Sequence, residues 1–377
     1  MQKILINASN LHNGGGVQVA TSVVYELIDY LGGDFNRISF YLSSEVSFNL
    51  KLLGIDVLSF SNIEIFDVHG LHALNKKISR KFYNFDLVFT LFGPLYLRKK
   101  IPNHIIGFAQ SWIINPNNDA RKSFGVIDRV KLRLKFAIQW LFFKYHANIL
   151  VVELPHVKSK LVSHKKFPSE KIRIVENCFS SIYNNRSQWV PLRVMPLKDR
   201  DVIRIGYVAR AYPHKNLNVL YPVARILRDI SKFNFEFYVT LDDSEWSGFS
   251  EDYRGVVKNV GALSVSQCPS FYQEMDGVIF ASLLECFSAT PLEAMVMRKP
   301  LFASDRGFVR DVCGDYAIYI DPLNPLDIAK KIDRWYSEKS LADQATHVDS
   351  AHRHVMSLPN SRQRAIGYMD AINDLRA

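Results

Sequence analysis

The chain has 377 residues, 48% of them hydrophobic and 22% charged, with a formal net charge of +10. That length suits two domains with substantial cores, and the composition excludes a disordered, collagen-like or disulfide-stapled chain. No apolar run approaches the ~20 residues of a bilayer-spanning helix, the densest being residues 136–143.

Short apolar runs alternate with helical periodicity along the whole chain, the pattern of a doubly wound parallel α/β architecture. Residues 1–7 begin a strand at once, which leaves no room for a signal peptide and sets a cytoplasmic location as the expectation. Asn13-Gly-Gly-Gly16 follows, then a helix over residues 17–31. Consecutive glycines let backbone amides approach a ligand with no Cβ in the way, and a plain strand-to-helix turn uses them equally well. They do not complete a dinucleotide fingerprint, because Val19 stands at the third glycine position and no acid follows at the end of a second strand. Further strand-like runs fall at residues 38–42, 86–90, 105–108 and 149–152.

The whole net positive excess sits in this first half. Residues 1–190 carry 24 basic and 13 acidic side chains, whereas residues 191–377 carry 23 and 24. One concentration is Lys76-Lys77-Ile-Ser-Arg80-Lys81 with Arg98-Lys99-Lys100; the other is Arg129, Lys131, Arg133, Lys135 and Lys144, set among bulky apolar residues. Such segments suit an anionic membrane surface, and equally a core helix with a solvated basic edge. Helical projection leaves both readings open, since Arg129, Arg133 and Lys144 fall on one side and Lys131 and Lys135 on another. No zinc-finger, helix-turn-helix or RNA-recognition signature accompanies the charge, so nucleic acid is not an expected partner. Cys178, Cys268, Cys286 and Cys313 show neither a Cys-x-x-Cys pair nor metal spacing, which fits a reducing compartment.

Residues 187–201 contain two prolines and no steady period, and read as a linker between a domain over 1–186 and a second over 202–358. Strand-like runs resume at 203–207, 235–240, 277–280, 301–303 and 317–320. Arg210 and Lys215 lie just past the first of these, where two cations can neutralise a diphosphate, Arg as a planar fork and Lys as a point charge. His214, between them, reads equally as a surface loop residue. Asp199-Arg-Asp201 is the single Asp-x-Asp and sits in the linker, so no metal is expected.

The segment Glu285-Cys-Phe-Ser-Ala-Thr-Pro-Leu-Glu293 places two carboxylates around a predicted helix start, with Thr290 as N-cap, Pro291 in the first turn and Glu293 at the third helical position. Thr290-x-x-Glu293 is also a capping box, in which both side chains only satisfy orphan amides. Eight helical positions would set the two acids about 80° apart, so the spacing has no purely helical reason. With Glu285 on the incoming loop and Glu293 in the first turn, both can face one ligand, whose phosphates would sit on free amides.

Residues 282–295 resemble the E-x7-E signature of retaining glycosyltransferases of the GT-B fold, most like family 4, the group 1 glycosyl transferases. Residues 205–217 resemble that family's strand followed by Arg and Lys, residues 301–307 and 314–322 its next strand-turn-strand, and Asn13–Gly16 its glycine loop near the diphosphate. The resemblance implies two Rossmann-like domains facing each other across a cleft, with the last helix, in segment 359–377, crossing back to the first domain. It implies transfer of a sugar from a nucleoside diphosphate donor to an acceptor hydroxyl with retention, and no cofactor beyond that substrate. Glu285, Arg210 and Lys215 would carry the chemistry; Gly15, Gly16, Gly261, Phe287, Ser288, Ala289, Thr290 and Glu293 would bind the donor. Glu285 is expected on donor-sugar hydroxyls, Glu293 on the ribose and Gly261 on the base. Gln110 and Trp112 stand where the family faces the donor sugar or acceptor. There the family often carries His, whereas a Gln cannot act as acid or base. Ser288 replaces a usual glycine, and Cys178 follows Asn177 where Gly is common. A lipid-linked saccharide of bacterial surface polysaccharides is the implied acceptor, with the protein cytoplasmic or peripheral on the inner face of the plasma membrane. A sugar-nucleotide 2-epimerase, a non-catalytic scaffold and a basic membrane-binding module are the alternatives.

Overall fold

A computed structural model describes residues 2–192, 195 and 201–375. Residues 193, 194 and 196–200 of the expected linker, including Asp199 of the Asp-x-Asp sequence, lie outside the described residues. The fold is α/β, with two parallel sheets. The first contains β1 (Ile4–Ala8), β2 (Ile38–Leu42), β3 (Ile63–Ile65), β4 (Leu87–Thr90), β5 (Asn103–Gly107), β6 (Ile149–Val152) and β7 (Ile172–Ile174), in the order β3-β2-β1-β4-β5-β6-β7. The second contains β8 (Val202–Tyr207), β9 (Asn234–Val239), β10 (Val257–Asn259), β11 (Gly277–Phe280), β12 (Leu301–Ser304) and β13 (Ile318–Ile320), in the order β10-β9-β8-β11-β12-β13. Both orders reverse direction beside their first strand, as Rossmann sheets do. The crevices between β1 and β4 and between β8 and β11 are therefore their topological switch points.

The central strands are apolar without alternation because helices cover both faces; every residue of β1, β4, β6, β11 and β12 is buried. Contacts divide the chain into one unit of Met1–Pro116, Val126–Asn177 and Pro359–Ala377 and another of Asn117–Gly125 and Cys178–Leu358. The helix Ser361–Asp374 starts in an Asn360/Gln363 capping box. It contributes Ala365, Tyr368, Met369, Ala371 and Ile372 to the same core as β1 and the helix Gly14–Leu31. Residues 178–186 group with the second unit rather than the first, since Tyr183 is buried and its ring lies 6.1 Å from that of Tyr272. Residues 117–125 do so too, with Asp119 3.4 Å from Arg306.

Two glycines set the second unit's geometry. A Cβ on Gly206 of β8 would stand 2.6 Å from Met275 and 2.8 Å from Phe271, so only glycine lets the Cys268–Glu274 helix close onto that strand. Gly261, at φ +83, turns the chain after β10 in the left-handed region.

Candidate active site

The residues past β8 and β11 meet at the switch point of the second sheet. After β8, residues Pro213–Lys215 form a single 3-10 turn that ends at Asn216, in the left-handed region at φ 55. Asn tolerates that conformation, and its amide donates to the Pro322 carbonyl at 2.7 Å, which fixes the turn against the end of β13. Tyr207 pins the turn from below by donating its hydroxyl to the Lys215 carbonyl at 2.8 Å. After β11, the Leu283 amide donates to the His214 carbonyl at 2.7 Å, joining the two loops.

This stitching brings Lys215 Nζ to 2.5 Å from Glu285 Oε1, with the two side chains only 14% and 13% exposed. Ser282 Oγ stands 2.9 Å from the same oxygen and 3.1 Å from the His214 carbonyl, so its single proton serves one acceptor at a time. His214 Nε2 lies 3.9 Å from Glu285. Burial holds the His214 imidazole below its ordinary pKa; the Glu285 charge opposes the shift and the Lys215 charge adds to it.

Glu293 does not close a capping box. The helix runs Thr290–Val296 with Ala289 at its N-cap, in a right-handed helical conformation and without a side-chain cap. Thr290 is thus the first helical residue, not the N-cap, and its hydroxyl turns inward to the Val208 carbonyl at 3.4 Å. Glu293 consequently falls one position later than the sequence predicts. Its Oε2 accepts the Tyr272 hydroxyl at 2.8 Å instead of reaching back to the backbone amide of an N-cap residue. Burial raises the Glu293 pKa, while the Tyr272 and Tyr183 hydroxyls and the Lys215 charge pull the other way. Both acids of the E-x7-E segment therefore feel one lysine, Glu285 by contact and Glu293 through space.

Arg210 is placed differently. Its guanidinium is half-exposed and held by Glu245 at 2.8 Å and Asp242 at 2.9 Å. Those two acids form the capping box of the helix Asp243–Ser247. The cation thus has two carboxylate partners, neither of them an acid of the E-x7-E segment. Phe287, Ser288 and Ala289 are partly exposed along the loop before the helix, and Gly261 is partly exposed with open space where a Cβ would project.

In the first unit, Gly14, Gly15 and Gly16 form the first turn of the helix Gly14–Leu31 rather than a loop before it. Gly14 has φ +65, and Asn13 at the N-cap makes no side-chain bond. Asn13, Gly14 and Gly15 are exposed, and Gly16 is partly exposed. Gln110 is the uncapped N-cap of the short helix Ser111–Ile114, and Trp112 stacks on Phe136 with ring centroids 5.8 Å apart.

Three groupings are not assigned by the sequence. Tyr183, Tyr272 and Ser282 come from distant or unremarkable positions and gain meaning only through contact with the acids. Asp242 and Glu245 belong to a capping pattern that the sequence does show, but nothing in it assigns Arg210 to them. In the first unit, His12 and Asp67 lie past the ends of β1 and β3, with Nδ1 and Oδ1 3.4 Å apart, and His69 stacks on His12 at 3.9 Å. Ser44 donates to Asp67 from its amide at 3.0 Å and its hydroxyl at 2.6 Å. The ligand atoms of His12, Asp67 and His69 lie within 4.8 Å of one another. That is looser than the ~3.4 Å edge of a tetrahedron with ~2.1 Å bonds, and the trio reads as an imidazole–carboxylate contact with a second imidazole stacked on it.

Residues 193–348 match the family model of group 1 glycosyl transferases. No curated protein sequence matches the chain. Among solved structures, the chain resembles a glycosyltransferase from Rickettsia africae ESF-5 at 16% identity and a TM-score of 0.70, covering 99% of this chain and 98% of that one. It resembles the sucrose-phosphate synthase of Thermosynechococcus elongatus at 16% identity and a TM-score of 0.70, covering 100% and 99%. The Anabaena Alr3699/HepE protein, in its complex with UDP-glucose, is similar at 14% identity and a TM-score of 0.68, covering 99% and 100%. The chain therefore has the GT-B fold, two Rossmann-like α/β units, and its match to the group 1 glycosyl transferase model falls within the second unit.

Proposed function

We propose that the protein is a glycosyltransferase that moves a sugar from a nucleoside diphosphate donor to an acceptor hydroxyl with retention of configuration. The observation that carries this reading is the contact of Lys215 with Glu285 at the β8/β11 switch point, with Glu293 in reach of the same charge. Open parallel sheets bind ligands at such crevices. Glu285 is an acceptor for hydroxyl groups of the donor sugar, and Lys215 offsets its charge while remaining close enough to serve the diphosphate. Glu293, steadied by Tyr272, is suited to the ribose hydroxyls, and the Gly261 turn leaves room for the base.

In the reaction, the bond between the anomeric carbon and the diphosphate oxygen breaks as the acceptor oxygen bonds to that carbon. The acceptor's proton passes to the departing phosphate oxygen on the same face. Negative charge grows on the diphosphate, and fixed positive groups there supply the main stabilisation. Lys215, and Arg210 once it exchanges Asp242 and Glu245 for phosphate, are these groups in unit two. No metal is invoked, and an acceptor carried on a lipid diphosphate suits the basic first unit.

Calorimetric titration of uridine, guanosine, adenosine and thymidine diphosphate sugars against the full chain and Glu293→Ala tests the reading. We expect one nucleotide to bind selectively without added metal and the substitution to weaken it at least tenfold. Absence of binding by every donor, or equal binding by the variant, would remove the donor site.

A further inference from the structure

The helix Val126–His146 buries one face and leaves the opposite face both apolar and exposed. Phe143 is fully buried, with its ring 5.0 Å from Phe108; Phe142 lies 4.8 Å from Tyr96, and Gln139 donates to the Tyr96 hydroxyl at 3.0 Å. The outward face would ordinarily be polar. Here Ile127, Val130, Leu134, Ile138, Leu141 and Tyr145 are 71%, 63%, 62%, 44%, 62% and 60% exposed. Their spacing of three, four, four, three and four residues makes one continuous stripe down a helix about 30 Å long. Lys131 and Lys135 border the stripe on one side, and Arg133 and Lys144 on the other, while the partly buried Arg129 lies toward the packed face. Apart from Arg129, the two groups that sequence projection sets on different sides are thus the two banks of one apolar band. Asp128 is the helix's single acid, 3.9 Å from Lys131.

We infer that this helix seats the protein on an anionic bilayer, lying in the interfacial plane with the stripe inserted and the banks on lipid phosphates. An apolar stripe of this extent is not left to water without a partner, and cations on both edges match an anionic headgroup layer. A second copy of the chain suits it poorly, since pairing two stripes would set four cations against four. None of the described helices is long and apolar enough to cross a membrane, and this one needs only to lie on it. The surface uses no residue of the donor site, so it stands or falls independently of the proposed reaction.

The test is sedimentation of the full chain with vesicles of phosphatidylglycerol and phosphatidylcholine, and with phosphatidylcholine alone. We expect binding to the first and little to the second. Lys131→Gln/Arg133→Gln/Lys135→Gln should lower partitioning about 100-fold, at about fivefold per charge removed. Leu134→Ser/Ile138→Ser/Leu141→Ser should abolish it with circular dichroism unchanged, because these side chains already face solvent. Leu134→Trp should show a blue-shifted emission on vesicles. Undiminished binding by either triple variant, equal binding to neutral vesicles, or an unshifted tryptophan would overturn the inference. So would a concentration-dependent dimer in sedimentation equilibrium that the serine variant abolishes.

Discussion

Lys215→Met is the sharpest perturbation of the candidate site. The methionine keeps most of the apolar stem and removes the charge that lies 2.5 Å from Glu285. At an effective dielectric of about 20, charges this close attract by about 6–7 kcal/mol, much of it offset by their desolvation. Truncating one member of a fully buried pair costs about 3–5 kcal/mol. Glu285 keeps Ser282 at 2.9 Å and is not wholly sealed from water, so about 2–3 kcal/mol is expected here. In a unit of this size that lowers Tm by about 4–12 °C in a calorimetric scan. Lys215→Met/Glu285→Gln should recover most of the loss, because a neutral amide needs no counter-charge. Turnover of the preferred donor should stay depressed by about 100-fold or more in both variants, since the charge facing the diphosphate is absent from both. A single variant within about 1 °C of the parent, or a double variant that also recovers turnover, would refute the reasoning.

Removing the partly exposed ion pairs of Arg210 should cost less than about 1 kcal/mol in Arg210→Ala, while turnover falls at least tenfold; a stability loss without a rate loss would make the residue structural. Glu293 has a folded pKa raised above the ordinary 4.5. The native state therefore holds its proton longer, and this group's contribution to stability falls as pH rises from 4.5 through the raised value. Glu293→Gln should flatten that slope in denaturant titrations between pH 4 and 7 and weaken donor binding. His214 has a folded pKa below 6.5, so its contribution is full above 6.5 and is lost as pH falls from there. His214→Gln should remove that acid-side loss, and an unchanged pH profile would show that the imidazole is not held neutral by the site.

The sheets were legible where strands are central and apolar, and illegible at three of their four margins, β13 being the exception. β3, β7 and β10 are three-residue edge strands, and none is wholly buried, so no apolar run announces them. The helix after β1 reads from Val17 because its periodicity starts there, yet three glycines supply its first turn. The E-x7-E segment stood out because two acids at that spacing serve no helical purpose. Its tyrosine supports did not, since Tyr183 and Tyr272 reach Glu293 only through tertiary packing. Arg210 illustrates the opposite limit. Its position past β8 was readable, but its guanidinium answers to Asp242 and Glu245, acids that local pattern assigns to capping alone. The basic helix remained ambiguous for a similar reason: burial, not sequence, decides which face of a doubly apolar helix meets the core.

The start of the Thr290–Val296 helix joins these threads. Starts such as Ser43, Asp242, Asn324 and Asn360 cap their own first turns with a side chain, whereas Ala289 does not. An alanine at that position costs about 1 kcal/mol relative to a good cap, and the cost leaves first-turn amides and the Glu293 carboxylate open to another partner. Ala289→Asp separates an incidental omission from a functional one. An N-cap needs extended backbone to place its oxygen over the Leu292 amide, whereas Ala289 has φ −74 and ψ −24. The aspartate should therefore add no more than about 0.5 kcal/mol of stability, well short of the ordinary gain. Its charge would meet the diphosphate instead, and donor affinity should fall at least tenfold in calorimetry. A variant stabilised by about 1 kcal/mol with donor affinity intact would mean that the helix start is an ordinary cap lacking only its side chain, and the phosphate role of these amides would be lost.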